Sequence, residues 1–478
     1  MDREVDMVKT IVIVGAGFSG TALAVNLLRS GHAKTPRVIL INRSGRMARG
    51  VAYGTNDSRH LLNVPAGNMS LLPDQPDGFV EYCRRVDPSI TPKSFVSREI
   101  YGNYLEQSLT DVECRNSSGS GLTRVVGEVV RIESMVMADS QQTAAIHLRD
   151  GNTLHADHVV LACGNFAPAS PPLEDSSFYS SKRYIRDPWQ SGALATIPTH
   201  EKVLLIGTGL TAVDVALRFA GENPSRLCYA VSRRGLMPQA HRSMDKAPVQ
   251  FDASPLVREM GVHVRGYVRA LRQQIALHAR DGLDWRDIVA ALRPHTSALW
   301  TRLSEAERRR FLRHVQPHWD VHRHRTAPES HQNFKTLVTN GTLRTLAGNL
   351  LRIREEGNSI RVAIRLRGTT NETSVEVGYV VNCTGPNSDV RRVDDPLIRQ
   401  LITDGVMSAD PNGSGVEVTE DYQLVSSQGQ CNDVIRYVGP LLRARYWEAT
   451  AVPELRQHVQ QLANILSIAR TGVRVTAA

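Results

Sequence analysis

The sequence predicts an α/β protein with two Rossmann-like, doubly wound dinucleotide-binding domains and a helical insertion. The first observation is a pair of glycine-rich segments, residues 15–20 (GAGFSG) and 207–212 (GTGLTA), each between an apolar strand-like run and a helix-like run. Glycines at these positions let the turn be tight and let backbone N–H groups approach a pyrophosphate at a helix N-terminus. One such motif is a weak signal, whereas two in this context indicate two bound dinucleotides, usually FAD and NAD(P)H.

The second observation is a loose repeat between the two halves of the chain. The first half ends on residues 158–164 (HVVLACG) and the second on residues 379–385 (YVVNCTG), so each closes a buried strand with a short Cys-containing turn. Small residues at a strand end let the chain pass close to a bound cofactor. The alternative is that each segment is an ordinary turn at a strand end. The Cys-containing turn occurs in matching places of both halves, and this favours the cofactor interpretation.

Composition excludes several classes of protein. The 478 residues are 41% hydrophobic and 22% charged, with a formal net charge of +9 that is spread along the chain, and such a length favours two or three domains. We expect no membrane span, because no apolar run approaches about 18 residues, and no nucleic-acid partner, because no aromatic and basic motif occurs. The six cysteines form no CxxC pair, and the charged N-terminus carries no apolar signal segment, so a reduced, cytoplasmic protein is expected.

The residues after each second strand predict which nucleotide each half prefers. The first half ends this strand at Asn42, whose amide can hydrogen-bond a ribose hydroxyl in place of the commoner carboxylate. The second half continues into Ser232, Arg233 and Arg234. A hydroxyl and two guanidinium groups without a carboxylate suit a 2′-phosphate, so NADPH is favoured over NADH.

Two basic segments are left open. Residues 314–325 are rich in His and Arg, but their spacing matches no usual zinc site, so no metal is predicted. They form either a polar wall facing substrate or cofactor, or a hydrogen-bond network at a helix end. Residues 238–242 (PQAHR) either cover the second dinucleotide or form a surface loop.

Further motifs resemble a family of bacterial FAD/NAD(P)-binding proteins related to the class B flavoprotein monooxygenases. They span nearly the whole chain: residues 15–21 (GAGFSGT), 49–55 (RGVAYGT), 60–66 (HLLNVPA), 69–70 (MS), 95–98 (FVSR), 101–105 (YGNYL), 232–235 (SRRG), 319–325 (WDVHRHR), 382–386 (NCTGP), 439–440 (GP), 447–448 (WE) and 452–456 (VPELR). The signature of Baeyer–Villiger enzymes in this class is incomplete, since Ser180 and Tyr184 stand where its Gly and His belong.

The resemblance implies an FAD-binding domain made of both chain ends, residues 1–167 and 384–478. An NADPH-binding domain would lie between them, at 168–383, with a helical insertion at 250–335. It places residues 63–70 near the flavin ring and residues 439–440 at a helix start that meets the flavin. Such a helix end would stabilise negative charge on reduced flavin. Residues 98–105 resemble the arginine–aromatic–Tyr-Leu stretch of flavin N-hydroxylases.

Candidate site residues follow from the motifs and the resemblance together. The predicted catalytic residues are Asn63, Arg98 and Asn382, and His322 and His324 are further candidates. The predicted cofactor-binding residues are Gly15, Gly17, Phe18, Ser19, Gly20, Asn42, Asn63, Met69, Val126, Gly164, Gly207, Gly209, Thr211, Ser232, Arg233, Arg234, Gly385, Gly439, Pro440 and Trp447.

These features predict an FAD-dependent monooxygenase that uses NADPH and O2 to oxidise a small molecule. The hypothesis routes one oxygen atom through a C4a-(hydro)peroxyflavin to an amine or other heteroatom, or into a ketone in a Baeyer–Villiger-type oxidation. Two alternatives stay open: an NADPH-dependent flavin oxidoreductase without oxygen insertion, and a catalytically silent nucleotide-binding regulator. The sequence indicates neither the substrate nor whether the chain forms a homo-oligomer.

Overall fold

A computed structural model describes residues 8–29, 35–115, 121–137, 142–242 and 248–468. Its strands are β1 (Thr10–Val14), β2 (Arg37–Asn42), β3 (Leu122–Val126), β4 (Val129–Val136), β5 (Gln142–Leu148), β6 (Thr153–Ala156), β7 (His158–Leu161), β8 (Tyr184–Ile185), β9 (Val203–Ile206), β10 (Cys228–Ser232), β11 (Leu343–Glu356), β12 (Ser359–Leu366), β13 (Glu372–Val377), β14 (Tyr379–Asn382), β15 (Gln423–Val425) and β16 (Cys431–Tyr437).

The α-helices are α1 (Phe18–Arg29), α2 (Gly78–Val86), α3 (Arg98–Arg115), α4 (Leu210–Glu222), α5 (Ser254–Glu259), α6 (Val264–Ala279), α7 (Trp285–Ala291), α8 (Thr296–Arg302), α9 (Glu305–His314), α10 (Gln316–Arg323), α11 (Pro328–Thr339), α12 (Pro396–Thr403) and α13 (Val452–Ile468). None of the described helices is both long and apolar enough to span a membrane.

The described residues cluster into two compact units. The first unit comprises the described parts of Met1–Gly54, Pro65–Asn165 and Ser388–Ala478, and the second comprises Thr55–Val64 and the described parts of Phe166–Asn387. The bounds differ in part from the predicted division, which placed residues 55–64, 166–167 and 384–387 in the FAD-binding domain. They cluster with the second unit, where the Arg59 guanidinium donates to the carbonyl of Arg218 (3.2 Å) and His60 packs edge-on against Trp189.

The first unit is built on a six-stranded sheet in the order β15–β16–β7–β1–β2–β3. The strands from β16 to β3 all run parallel, and only β15 is antiparallel to its neighbour. The central strands are nearly continuous apolar runs, as expected for parallel strands covered on both faces, and Ile11, Val12 and Ile13 of β1 are almost fully buried. Helix α1 packs against α3 and α13. Strands β4–β5–β6 form a separate three-stranded antiparallel sheet.

The second unit contains a seven-stranded sheet in the order β13–β12–β11–β10–β9–β14–β8. Strands β11, β10, β9, β14 and β8 run parallel, whereas β11, β12 and β13 form an antiparallel extension. The predicted α/β class with two Rossmann-type parallel sheets is therefore confirmed.

Helices α5 to α11 occupy the stretch between β10 and β11, and thus cover the predicted insertion at 250–335. Two of them begin at capping side chains. The carboxylate of Asp284 accepts from the N–H of Arg286 at the start of α7, and the hydroxyl of Ser304 accepts from the N–H of Glu307 at the start of α9. Such caps satisfy backbone donors that the first helical turn leaves without partners.

Burial of His458 makes stability of the first unit depend on pH. Desolvation lowers the pKa of this histidine from 6.5 to about 4, and its Nδ1 lies 2.9 Å from the hydroxyl of Tyr422. The unfolded chain therefore binds a proton here between pH 6.5 and 4 that the folded chain does not bind. The free energy of unfolding should fall as pH drops through this interval, by about 1.4 kcal/mol per pH unit from this residue.

Urea unfolding measured between pH 7.5 and 4 tests this dependence. The variant His458→Gln should show a shallower decline than the parent protein. The matched variant His200→Gln, at a histidine whose side chain is 80% exposed, should keep the parent slope. Equal slopes for all three proteins would contradict the assignment to His458.

Candidate functional site

The turn after β1 in the first unit brings backbone unusually close to backbone. Gly15 has a φ of +109°, and a Cβ there would lie 2.7 Å from the carbonyl oxygen of Ala162. A Cβ on Gly20 would overlap the carbonyl oxygen of Gly15. The N–H of Thr21 donates to the carbonyl of Gly17 (3.0 Å), so α1 starts directly at the turn. These contacts explain the glycine pattern and leave the N-terminus of α1, with Phe18 and Ser19, beside a loop whose largest side chain is the methyl group of Ala16.

Five parallel strands of the first unit carry predicted site residues at the same edge. The Gly15 turn follows β1, Asn42 ends β2, Val126 ends β3, Gly164 follows β7, and Gly439 follows β16. Because these strands are parallel neighbours, their carboxyl ends lie side by side, which is where open α/β sheets bind ligands.

One tyrosine fixes the two strand ends that close this edge. The hydroxyl of Tyr437 donates to the carbonyl of Cys163 and accepts from the N–H of Leu441, at 3.0 Å in both cases. Gly439 has a φ of +154°, and a Cβ there would lie 2.7 Å from that hydroxyl. The backbone at Gly439 and Pro440 is thereby held close to Gly164, and its contact with the flavin stays a prediction.

The side chain of Asn42 is oriented by the loop that follows it. Its Nδ2 donates to the hydroxyl of Ser44 (2.9 Å) and to the carbonyl of Arg46 (2.7 Å). Its amide oxygen is therefore the atom suited to accept from a ribose hydroxyl. Val126 pairs with Asn42 across β2 and β3 and is 64% exposed, and its predicted contact with the cofactor stays a prediction.

The remaining predicted residues of this unit lie on other elements. Met69 is buried at the end of a 3₁₀ turn, Ala66–Asn68. Arg98 is half-buried at the first position of α3. Burial raises the pKa of Tyr53 to about 12, and the charge of Arg98 acts against this rise. Trp447 is buried beneath the guanidinium of Arg443, whose Cζ is 4.0 Å from the ring centroid.

The second unit repeats the same turn after β9. Gly207 has a φ of +113°, and a Cβ there would lie 2.6 Å from the carbonyl oxygen of Cys383. Gly209 caps α4, and an added Cβ would meet no atom within 4 Å. The space beside Gly209 can therefore admit a phosphate, and Thr211 lies in the first turn of the helix.

A cluster of positive charge lies beyond the end of β10. Arg233 is exposed and Arg234 half-buried, and the Arg234 guanidinium donates to the carbonyl of Arg313 (2.8 Å). Desolvation, followed by the charges of Arg233 and Arg367, lowers the pKa of Arg234. Desolvation and the charge of Arg234 also lower the pKa of His318. A site where cations crowd one another favours an anion, which suits a 2′-phosphate.

Sequence reasoning did not identify Arg367 as part of this cluster. Arg367 follows β12, far from β10 in the chain, and the fold brings it near because β11 pairs with both strands. Ser232 has a structural role beside the cluster, since its hydroxyl lies 2.8 Å from that of Thr208 and accepts from the N–H of Gly235.

Asn382 is fully buried and its amide is occupied on both sides. Its Nδ2 donates to the carbonyl of Ala169 (3.1 Å), and its Oδ1 accepts from the N–H and the hydroxyl of Thr384. These contacts fix the turn that leads to Gly385, whose φ is +89°. The geometry thus supports a positioning role, while the catalytic assignment of Asn382 stays a prediction.

The predicted Asn63 lies in the second unit, where its carbonyl accepts a hydrogen bond from Nε2 of His241 (2.9 Å). Since a carbonyl can only accept, Nε2 of His241 carries a hydrogen. Desolvation and the charge of Arg325 lower the pKa of His241 to about 4, which keeps this histidine neutral. Residues 238–242 are therefore held within the second unit and not left as a loose surface loop.

The two predicted histidines after this segment are engaged locally. Nδ1 of His322 lies 2.7 Å from the carbonyl of His318, and Nε2 of His324 lies 3.9 Å from Asp320. Across the described ranges, no group of three or more His, Cys, Asp or Glu residues could hold a metal ion.

Comparison with known proteins agrees with this geometry. Residues 12–166 match the family model of FAD-NAD(P)-binding proteins. This part of the chain is an FAD/NAD(P)-binding domain. No curated protein sequence matches the chain.

Solved structures share the fold over nearly the whole chain. L-lysine 6-monooxygenase from Pseudomonas syringae superposes with a TM-score of 0.67 at 17% identity, over 96% of this chain and 99% of that one. The FAD-bound cadaverine monooxygenase from Erwinia amylovora gives 0.64 at 11%, over 99% and 97%. Ornithine N-hydroxylase from Kutzneria sp. 744, with reduced FAD, NADP+ and L-ornithine, gives 0.62 at 13%, over 97% and 100%. At these identities the likeness establishes a common fold.

Substitutions at Gly20 and Gly209 should distinguish the contribution of the glycine turns to stability from their contribution to dinucleotide binding. Gly20→Ala should lower the free energy of unfolding by roughly 1–3 kcal/mol, because its Cβ overlaps the Gly15 carbonyl. Gly209→Ala should leave that free energy unchanged, because its Cβ meets nothing, yet weaken NADP+ binding roughly tenfold by obstructing the pyrophosphate.

Urea unfolding and calorimetric titration with NADP+ and FAD measure both effects. FAD affinity of Gly209→Ala serves as the internal control and should equal that of the parent. An unchanged NADP+ affinity in this variant would contradict a pyrophosphate site at the second turn.

Proposed function

We propose that the protein is an FAD-dependent, NADPH-using monooxygenase that hydroxylates the nitrogen of a small-molecule amine. The observation that carries the proposal is the pair of glycine turns, each at the carboxyl edge of its own parallel sheet. Their arrangement suits two dinucleotides in one chain. The fold shared with lysine, cadaverine and ornithine monooxygenases supports an amine over a ketone as the acceptor of oxygen.

The first unit would hold FAD and the second NADPH. Asn42 would accept from the FAD ribose, and the turn from Gly15 to Gly20 would receive the pyrophosphate. Arg233 and Arg234, together with Arg367, would bind the 2′-phosphate of NADPH. When bound, FAD supplies the chemistry that accepts hydride from NADPH and activates O2.

The protein's own groups would tune this chemistry by charge and position. The half-buried guanidinium of Arg98 would stabilise negative charge that develops on the flavin. Tyr437 would hold the backbone at Gly439 and Pro440 at a fixed distance from the ring. The backbone carbonyl of Asn63 is hydrogen-bonded to His241, so its side chain would be the group that acts near the reacting atoms.

The overall reaction balances without a further reductant. One amine, one O2, one NADPH and one proton give a hydroxylamine, one water and NADP+. NADPH provides two electrons, and one oxygen atom leaves as water while the other joins the nitrogen. Insertion next to a ketone would have the same balance of electrons and is the second form of the reaction that the cofactors allow.

Removing the cation cluster should change which nicotinamide dinucleotide is used. In Arg233→Ala/Arg234→Ala the KM for NADPH should rise about tenfold or more, because two charge-assisted contacts to phosphate are lost. The KM for NADH, which lacks the phosphate, should stay unchanged and serves as the internal control. Steady-state kinetics with both donors measures this, and equal changes for both would contradict the 2′-phosphate assignment.

Rapid mixing of the FAD-loaded protein with NADPH, O2 and lysine, ornithine or cadaverine tests the proposed reaction. We expect NADPH to bleach the flavin and one of these amines to yield a hydroxylamine in proportion to NADPH consumed. Hydrogen peroxide in place of any oxygenated product would favour a flavin oxidoreductase. A flavin that NADPH never bleaches would contradict both enzymatic functions and leave the regulatory one.

A further inference from the structure

Arg325 of the second unit is a buried cation, and no hydrogen bond or ion pair joins it to another of the described residues. It lies between α10 and α11 and is 9% exposed, and its Nε meets no acceptor among the described residues. The adjacent Thr326 exchanges backbone hydrogen bonds with Gln239 and His241 (3.0 and 2.9 Å). The backbone that carries Arg325 is thus fixed by the segment at 238–242.

The carboxylates near Arg325 are committed to other arginines. The carboxylate of Asp287 pairs with Arg242 (2.5 Å), and that of Asp284 with Arg286 (3.2 Å). Arg286 also donates from Nε to the carbonyl of Ala240 (2.9 Å). The two acidic groups are therefore held by their own partners and by the cap of α7, and neither forms an ion pair with Arg325.

Further positive charge surrounds this guanidinium. Desolvation first, and then the charges of Arg323 and Arg286, lower the pKa of Arg325 from 12.5 to about 10, and the charge of Asp284 offsets this only in part. A group with this pKa keeps its charge at neutral pH. A buried charge without a partner destabilises a protein strongly, so such groups are normally paired or bind an anion.

An aromatic surface lies beside the arginines. The Cζ atoms of Arg286 and Arg325 lie 4.5 and 5.9 Å from the centroid of the Trp285 ring. The ring of His322 packs edge-on against the same tryptophan, at 4.9 Å between centroids. The surroundings of Arg325 therefore combine a cation with flat apolar surface, a combination that orients a small organic anion.

We propose that Arg325 binds the carboxylate of the substrate, so that the protein acts on carboxylate-bearing small molecules. The planar guanidinium presents a fork that matches a carboxylate in two parallel hydrogen bonds. The phosphates of NADPH have other places in the same unit, at the turn of Gly207 and at Arg233 and Arg234. Assigning the anion to the substrate rests on the proposed function, whereas the anion site itself does not.

Binding and stability of Arg325→Met test the proposal without turnover. Sodium acetate and sodium glutarate should raise the melting temperature of the parent protein more than sodium chloride at equal ionic strength. In Arg325→Met this carboxylate effect should vanish, with glutarate affinity weakened about tenfold or more. Without ligand, this variant should melt at a higher temperature than the parent, since an unpaired buried charge has been replaced by an apolar chain.

Two further variants keep the test decisive. Arg325→Lys retains the charge but not the fork and should bind glutarate with an affinity between those of the parent and Arg325→Met. Arg309→Met makes the same change at an exposed arginine of α9 that pairs with Glu305, and it should bind glutarate as the parent does. Tryptophan fluorescence, sensitive to Trp285, provides a second measure of binding.

Three results would overturn the proposal. The first is an equal carboxylate response in the parent and Arg325→Met, and the second is a lower melting temperature of the ligand-free variant with unchanged glutarate binding. The third is a loss of NADP+ affinity with glutarate binding retained, which would assign Arg325 to a cofactor phosphate. Since none of these measurements needs flavin reduction, failure here is distinguishable from failure of the proposed reaction.

Discussion

The parallel alignment of neighbouring strands is the constraint on which both predicted sites depend. In the first unit β16, β7, β1, β2 and β3 point the same way, and in the second β10, β9 and β14 do. Residues that are far apart in sequence therefore meet at one edge of each sheet. Any change that reversed or displaced one of these strands would remove a side of the predicted dinucleotide site.

Close backbone approach at the turns is the second condition. Gly15 and Gly207 each adopt a positive φ and each face the carbonyl of the strand-end turn that follows a neighbouring parallel strand, at Ala162 and Cys383. The repeated Cys-containing turns noticed in the sequence are thus the partners of the glycine turns. This relation explains why the two features recur together in both halves, since a side chain on either glycine would separate the two strand ends.

Local sequence patterns allowed the fold to be predicted. The features that the sequence did not reveal depend on contacts between segments that are far apart in the chain. The motif around each glycine turn is contained in about 20 residues, so it predicts strand, turn and helix from sequence alone. Arg367 joins the cation cluster through strand pairing with β11, which no local pattern encodes. The internal hydrogen bonds of Asn382, and the lack of an acceptor for Nε of Arg325 among the described residues, likewise appear only once distant segments are packed. The histidine-rich segment proved to be a helix and the turn after it, with its charges distributed over several neighbours.

The most direct test is equilibrium binding of FAD and NADP+ to one preparation of the protein. Two separate sheets with separate glycine turns predict one FAD and one NADP+ per chain. Saturating NADP+ should leave FAD bound, and saturating FAD should leave the NADP+ affinity intact. Competition of the two dinucleotides for a single site, or binding of only one of them, would contradict the division of the chain into an FAD site and an NADPH site.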